Sequence, residues 1–299
     1  MTPGRTSPQR RPPEPVQPVR IDDLIEGYAV LLLDAYGVLV HAEGALPGAV
    51  ELIDELNRRG KPYLLLTNDA SRLPETATER YRSFGLALDA RHIITAGSLL
   101  PAYFVRRGLV GQRCVVLGPE GSVRYVEMAG GRVVSPGGPF EVLVIGDETG
   151  FSFVDTLDIV LTALIAKLDR KETVELVLPN PDLMYPKGNG AFGITSGSIA
   201  LLMEAALRAR YPDRAELSFA RLGKPHTAIF AEAERRAGTR SMVMIGDQLE
   251  TDIRGANAFG IDSALIAGGV GLPRQISSIG VGLPTYTLES LALARRHSR

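Results

Sequence analysis

The chain has 299 residues, 45% of them hydrophobic and 22% charged, which is the composition of a folded globular protein able to bury one large core or two moderate ones. Its 33 basic and 34 acidic residues leave a net charge of −1, which excludes the strong bulk field of a nucleic-acid-binding or membrane-surface protein. Cys114 is the sole cysteine, so no intramolecular disulfide can form and the reducing cytoplasm is the expected compartment. No apolar run approaches the ~20 residues that span a bilayer.

The first twenty residues are rich in Pro and Arg and lack an apolar segment, so residues 1–19 are expected to be a disordered tail without a secretory signal. Tyr28–Leu33 is a continuous apolar run ending at Asp34, the pattern of a strand buried on both faces. Pro47–Arg59 follows with Ala49, Leu52, Ile53 and Leu56 on one helical face, and Gly60 stops it. Tyr63–Leu66 is a second buried strand ending at Thr67, followed by a helix near Pro74–Phe84 and a short strand at His92–Ile94.

The alternation continues with strands at Cys114–Leu117, Val142–Ile145 and Glu175–Leu178, and helices at Val154–Leu168 and Ser196–Arg208. After Gly223-Lys224-Pro225 come a helix to about Ala237, a strand Met242–Ile245 ending at Gly246-Asp247, a helix after Thr251 and a strand Ser263–Ile266. Strands alternating with helices predict an α/β fold built on a parallel sheet. Cys114, inside CVVLG, reads as a buried core residue.

In open α/β sheets, ligands bind beyond the carboxyl ends of the strands. Three strands here end in reactive polar residues: Asp34, Thr67-Asn68 and Asp247. Each alone reads as a cap or turn residue. Together with Lys224 and Asp252 they form a set suited to phosphoryl transfer. A carboxylate can attack phosphorus and split a hard hydrolysis into two easier steps. Carboxylate and phosphate are both anionic, so the site needs positive charge. Magnesium, which takes hard oxygen ligands, and Lys224 can supply it. Gly188, Gly190 and Gly193 spell G-x-G-x-x-G, but they follow a Pro-containing loop instead of a strand, which argues against a dinucleotide site. The four histidines share no metal-ligand spacing.

DAYGV (34–38), LLTN (65–68), GKP (223–225) and GDQLETDIRGA (246–256) resemble, in order, spacing and strand-end placement, the four signature motifs of the haloacid dehalogenase-like superfamily. The resemblance runs from Tyr28 to Ile266. It implies Asp34 as nucleophile, Thr67 and Asn68 at the phosphate, Lys224 as the charge-neutralising lysine, and a magnesium ion on Asp34, Asp247, Asp252 and the main-chain carbonyl of Tyr36. It also implies a doubly wound, parallel-sheet, Rossmann-like core. Only 33 positions separate Asp34 from Thr67, too few for an inserted domain, whereas 157 separate Thr67 from Lys224. A smaller α/β cap is therefore expected at residues 98–217, with the core formed by 20–97 and 218–299. LPGAVELIDEL (46–56), VIGDE (144–148) and NPDLMYPKGNGAFGITSGSI (180–199) resemble the class IIA, NagD-like branch. That resemblance makes Asn180, Pro181 and Asp182 candidate substrate-binding residues; otherwise Asn-Pro-Asp is a strong turn signal. It also implies a small phosphorylated substrate and a homodimer through the cap, with no nucleic-acid or membrane partner.

Tyr36 departs from the phosphatase pattern, which places a second Asp there as general acid and base. Tyrosine at that position resembles the dehalogenases themselves, so carbon–halogen hydrolysis through Asp34 is the rival activity. A catalytically weak phosphate-binding protein is a third reading. Asp247, Asp252 and the absence of room for an early cap favour the phosphatase. A phenol can protonate a leaving group but is a poor base near neutral pH, so slow turnover is expected.

Overall fold

The computed structural model describes residues 16–188, 190–267 and 282–294. Along the chain run β1 (Gln17–Val19), α1 (Ile21–Gly27), β2 (Val30–Asp34), α2 (Ala49–Arg59), β3 (Tyr63–Thr67), α3 (Pro74–Ser83), β4 (Ile93–Thr95), α4 (Leu100–Arg107), β5 (Arg113–Leu117), α5 (Glu120–Met128) and β6 (Arg132–Val133). Then come β7 (Val142–Ile145), α6 (Phe153–Asp169), β8 (Glu175–Leu178), β9 (Met184–Gly188), β10 (Ala191–Ile194), α7 (Ser196–Arg210), β11 (Ala220–Arg221), α8 (Thr227–Ala237), β12 (Met242–Gly246), α9 (Arg254–Phe259), β13 (Asp262–Ile266) and β14 (Tyr286–Leu288).

The larger sheet is parallel, in the order β1-β14-β13-β12-β2-β3-β4. Every residue of β2 is buried. Leu31 and Leu33 pack into one apolar cluster and Val30 and Leu32 into another on the opposite face. This two-faced burial is why the strand reads as an unbroken apolar run, and it makes the sheet a central layer between helices. The smaller sheet, in the order β11-β8-β7-β5-β6, is also parallel and has its own core around Phe140, Leu143, Leu164 and Met203. The α/β architecture thus has two parallel sheets, the second inserted between β4 and β12.

Two expectations are corrected. Residues 17–19 are not tail: β1 adds to β14 at the sheet edge, where Pro18 costs no central ladder bond. Residues 1–15 lie outside the described residues. In addition, β11, beyond the boundary expected at 217, hydrogen-bonds β8 and extends the smaller sheet. The segment after Asn180 also holds more than a turn. There β9 and β10 form an antiparallel hairpin, with Gly188 and Gly190 at positive φ. Two of the three glycines of G-x-G-x-x-G therefore serve a hairpin turn. Cys114 is fully buried in β5, and burial pushes its thiol up to about 11. Among the described residues no helix is long and apolar enough to cross a membrane.

Candidate active site

The central strands place the site. β12, β2 and β3 are neighbours in the sheet, with Leu33 beside Ile245 and Asp34 beside Leu66. Adjacent parallel strands lie about 4.8 Å apart, so Asp34 at the end of β2, Thr67 at the end of β3 and Asp247 just past β12 converge on one edge. The chain then turns away from each strand end. After Asp34 the turn passes through Gly37 at φ +98°, where a Cβ would sit 2.3 Å from Asp247 Oδ2. After Asp247 a wide helical turn, Leu249–Ile253, brings Asp252 back beneath the strand end. Asp252 Oδ2 accepts from the Gln248 N–H at 3.2 Å, and Gly246 leaves room for the Asp252 side chain, 2.2 Å from where a Cβ would stand.

Lys224 joins these groups. Its Nζ donates to Asp34 Oδ1 at 2.5 Å and to Asp252 Oδ1 at 2.7 Å, and all three side chains are buried. Burial alone would lower the lysine, but the charges of Asp252 and Asp34 outweigh it and hold the ammonium charged well above its ordinary range. Burial raises the Asp34 carboxyl well above the usual carboxylate range; Asp252 and Asp247 add to the rise and Lys224 opposes it. One carboxylate oxygen from each of Asp34, Asp247 and Asp252 lies within 4.8 Å of the others. Three carboxylates against one ammonium amount to two negative charges if all are ionised. Clustered hard oxygens with excess negative charge fit a divalent cation such as magnesium.

The Asn68 amide ties three segments. Its Nδ2 donates to Asp182 Oδ1 at 2.8 Å and to the Lys224 carbonyl at 3.0 Å, while the Lys224 N–H donates to Asn68 Oδ1 at 2.7 Å. Asn180 Oδ1 accepts from the Asp182 N–H at 3.0 Å, a local turn of the kind Asn favours. Burial pushes the Asp182 carboxyl up to about 6, against the opposing pulls of Asn68 and Lys224. The Tyr36 hydroxyl donates to the Pro186 carbonyl of β9 at 3.2 Å.

A cavity of about 90 Å³ opens among these groups, lined by Asp34, Tyr36, Thr67, Asn68, Asn180, Asp182 and Lys224. Pro181 is not on its wall; its carbonyl packs where a Cβ on Gly197 would lie, 2.4 Å away. Asp69, Gln248 and Thr251 also line the cavity and were not singled out from sequence. Each directly adjoins a motif residue that was, which is the only signal the sequence offered. His226 stands at the N-terminal cap of α8, off the cavity wall.

The profile described as haloacid dehalogenase-like hydrolase matches residues 31–132, and one described as HAD-hydrolase-like matches residues 221–294. A dihydroxyacetone phosphatase of Corynebacterium glutamicum is 26% identical over 263 residues, covering 87% of this chain and 88% of that protein. The crystal structure of a possible sugar phosphatase of the HAD superfamily from Cytophaga hutchinsonii superposes with a TM-score of 0.80 at 29% identity, covering 94% of this chain and 100% of that one. A glycerol phosphate phosphatase of Mycobacterium tuberculosis in complex with magnesium gives a TM-score of 0.74 at 25% identity, covering 90% and 76%. The chain belongs to the haloacid dehalogenase-like superfamily, in its class IIA, NagD-like branch. Its reaction class is hydrolysis of phosphoric monoesters.

Proposed function

We propose that the protein is a magnesium-dependent phosphatase that works through an aspartyl-phosphate on Asp34, with the smaller parallel sheet and its helices acting as its cap. The observation that carries this reading is the Lys224 ammonium bridging Asp34 and Asp252 beside Asp247. Asp34, at the sheet edge, attacks phosphorus as the phosphorus–oxygen ester bond breaks, and the leaving alkoxide takes a proton from solvent water. Lys224 offsets the charge gathered between carboxylate and phosphate, and the Thr67 hydroxyl donates to a phosphate oxygen. Water then attacks the acyl phosphate, restoring Asp34 and releasing inorganic phosphate. Asp34, Asp247, Asp252 and the Tyr36 carbonyl would hold magnesium, which would supply further positive charge at the phosphate. Asn180 and Asp182, on the cavity wall, face the substrate side.

The substrate is a compact phosphorylated polyol or sugar. Similarity to a dihydroxyacetone phosphatase, a possible sugar phosphatase and a glycerol phosphate phosphatase supports this, as does the small cavity. A screen of phosphorylated metabolites beside 2-haloacids tests the reading. Phosphate release that needs magnesium, stops in excess chelator and is lost in Asp247→Asn is expected. Turnover undiminished in chelator, or halide release from a haloacid, would overturn it.

A further inference from the structure

Tyr36 stands where the resemblance to phosphatases implies an acid/base Asp, and its hydroxyl has a partner. The phenol carries one proton, and that proton is donated to the Pro186 carbonyl at 3.2 Å, in a strand 150 positions away. The hairpin that receives it is otherwise weakly held along its outer face. Met184, Phe192 and Ile194 are each more than half exposed, so few apolar contacts secure them. Its base is fixed to the start of α7: the Thr195 hydroxyl donates to the Asp182 carbonyl, the Gly197 N–H donates to the same oxygen at 3.0 Å, and Ser198 Oγ donates to the Leu183 carbonyl at 2.5 Å. The base is therefore anchored, and β9 rests on Tyr36.

The same tyrosine lines the cavity that Asp34, Thr67 and Lys224 share. At about 90 Å³ that cavity is far below the ~300–1,000 Å³ of pockets that enclose a larger ligand. No residue of β9 or β10 is among those lining it, but Tyr36 is, so the bond to Pro186 ties one wall of the cavity to the hairpin.

We propose that Tyr36 is a specificity-determining residue, its hydroxyl latching the β9–β10 hairpin beside the Asp34 cavity so that phosphomonoesters of compact alcohols are favoured over bulky ones. This rests on the phosphatase reading above but extends it. The tyrosine spends its proton on the hairpin instead of on the leaving group, and gains size selection in place of acid catalysis.

The test is Tyr36→Phe in the full chain, which keeps the ring and removes the donor. Hydrogen exchange of the β9 and β10 amides, which needs no turnover, is read beside kcat/KM for glycerol phosphate and naphthyl phosphate. The hairpin amides are expected to exchange about two- to tenfold faster, the scale of one hydrogen bond. The ratio of kcat/KM for naphthyl over glycerol phosphate is expected to rise by a similar factor through a lower KM for the bulky ester. Unchanged exchange overturns the latch. Faster exchange with an unchanged or lower ratio overturns its part in specificity. If neither ester is hydrolysed by the wild type, the phosphatase reading fails, while the exchange result still decides the latch.

Discussion

At the scale of single residues, chemistry is set by what each side chain must share. Lys224 serves Asp34 and Asp252 at once, and Asn68 serves both Lys224 and Asp182. Asp182 gives a pH prediction. Burial raises it from its ordinary 3.8 to about 6, so folding favours its protonated form. Well below pH 3.8 both folded and unfolded chains hold the proton and Asp182 costs nothing; the cost builds from about 3.8, where the unfolded chain ionises, and is complete above about 6. Asp182→Asn mimics the protonated carboxyl. It is expected to stabilise the protein by about 1–2 kcal/mol at pH 7.5, less than a two-unit shift implies because the side chain is only partly buried, with little gain near pH ~3. Urea unfolding at the two pH values checks this; an equal effect at both would sink it. Tyr36 gives a kinetic prediction. Tyr36→Asp restores a group able to act as acid and base, which is worth roughly 10²–10⁴-fold. Against Tyr36→Phe as the reference, it should speed alkyl phosphates more than aryl phosphates. Equal effects on both would mean that proton transfer comes from elsewhere.

At the scale of elements, the strands that build the site were the most legible part of the sequence. β2, β3 and β12 are buried on both faces, so each reads as an unbroken apolar run ending in a polar residue, and their parallel adjacency brings Asp34, Thr67 and Asp247 together. The hairpin was not legible. In NPDLMYPKGNGAFGI, Pro and Gly punctuate strands whose side chains are largely exposed, so no alternation marks them. β1 was hidden for a similar reason: a three-residue edge strand carrying Pro18 turns only Val19 toward the core, too short a pattern to read. Short connections carry their own constraint. At Gly37, φ of +98° and the Asp247 carboxylate 2.3 Å from a would-be Cβ both demand glycine. Gly37→Ala is expected to displace Asp247 and weaken magnesium binding by at least about tenfold, a loss typical of disturbed ligand support. Calorimetric titration with magnesium measures it, and wild-type affinity would contradict the proposed metal site.

At the scale of the molecule, function depends on contacts between sheets that no local pattern encodes. Asn68 meets Asp182 across 114 positions, and Tyr36 meets Pro186 across 150. The loop after Thr67 is also gripped by α5: Ser122 Oγ donates to the Ala70 carbonyl at 2.8 Å, and the Tyr125 hydroxyl donates to the Arg72 carbonyl at 2.5 Å. The sequence motifs named the residues at the larger sheet's edge, but not that the smaller sheet holds them in register, because such pairings depend on tertiary docking.

In the proposed reaction, phosphate passes through Asp34. Acid-quenching the enzyme during turnover with magnesium and an isotopically labelled phosphate ester, then mapping the label by mass spectrometry, tests it most directly. A slow second step, as expected with Tyr36 in place of an acid/base carboxylate, should let the intermediate accumulate. Label is expected on the peptide carrying Asp34, with none in excess chelator, and neither label nor turnover in a folded Asp34→Asn variant. Sustained turnover with Asp34 unlabelled, or in Asp34→Asn, would contradict it.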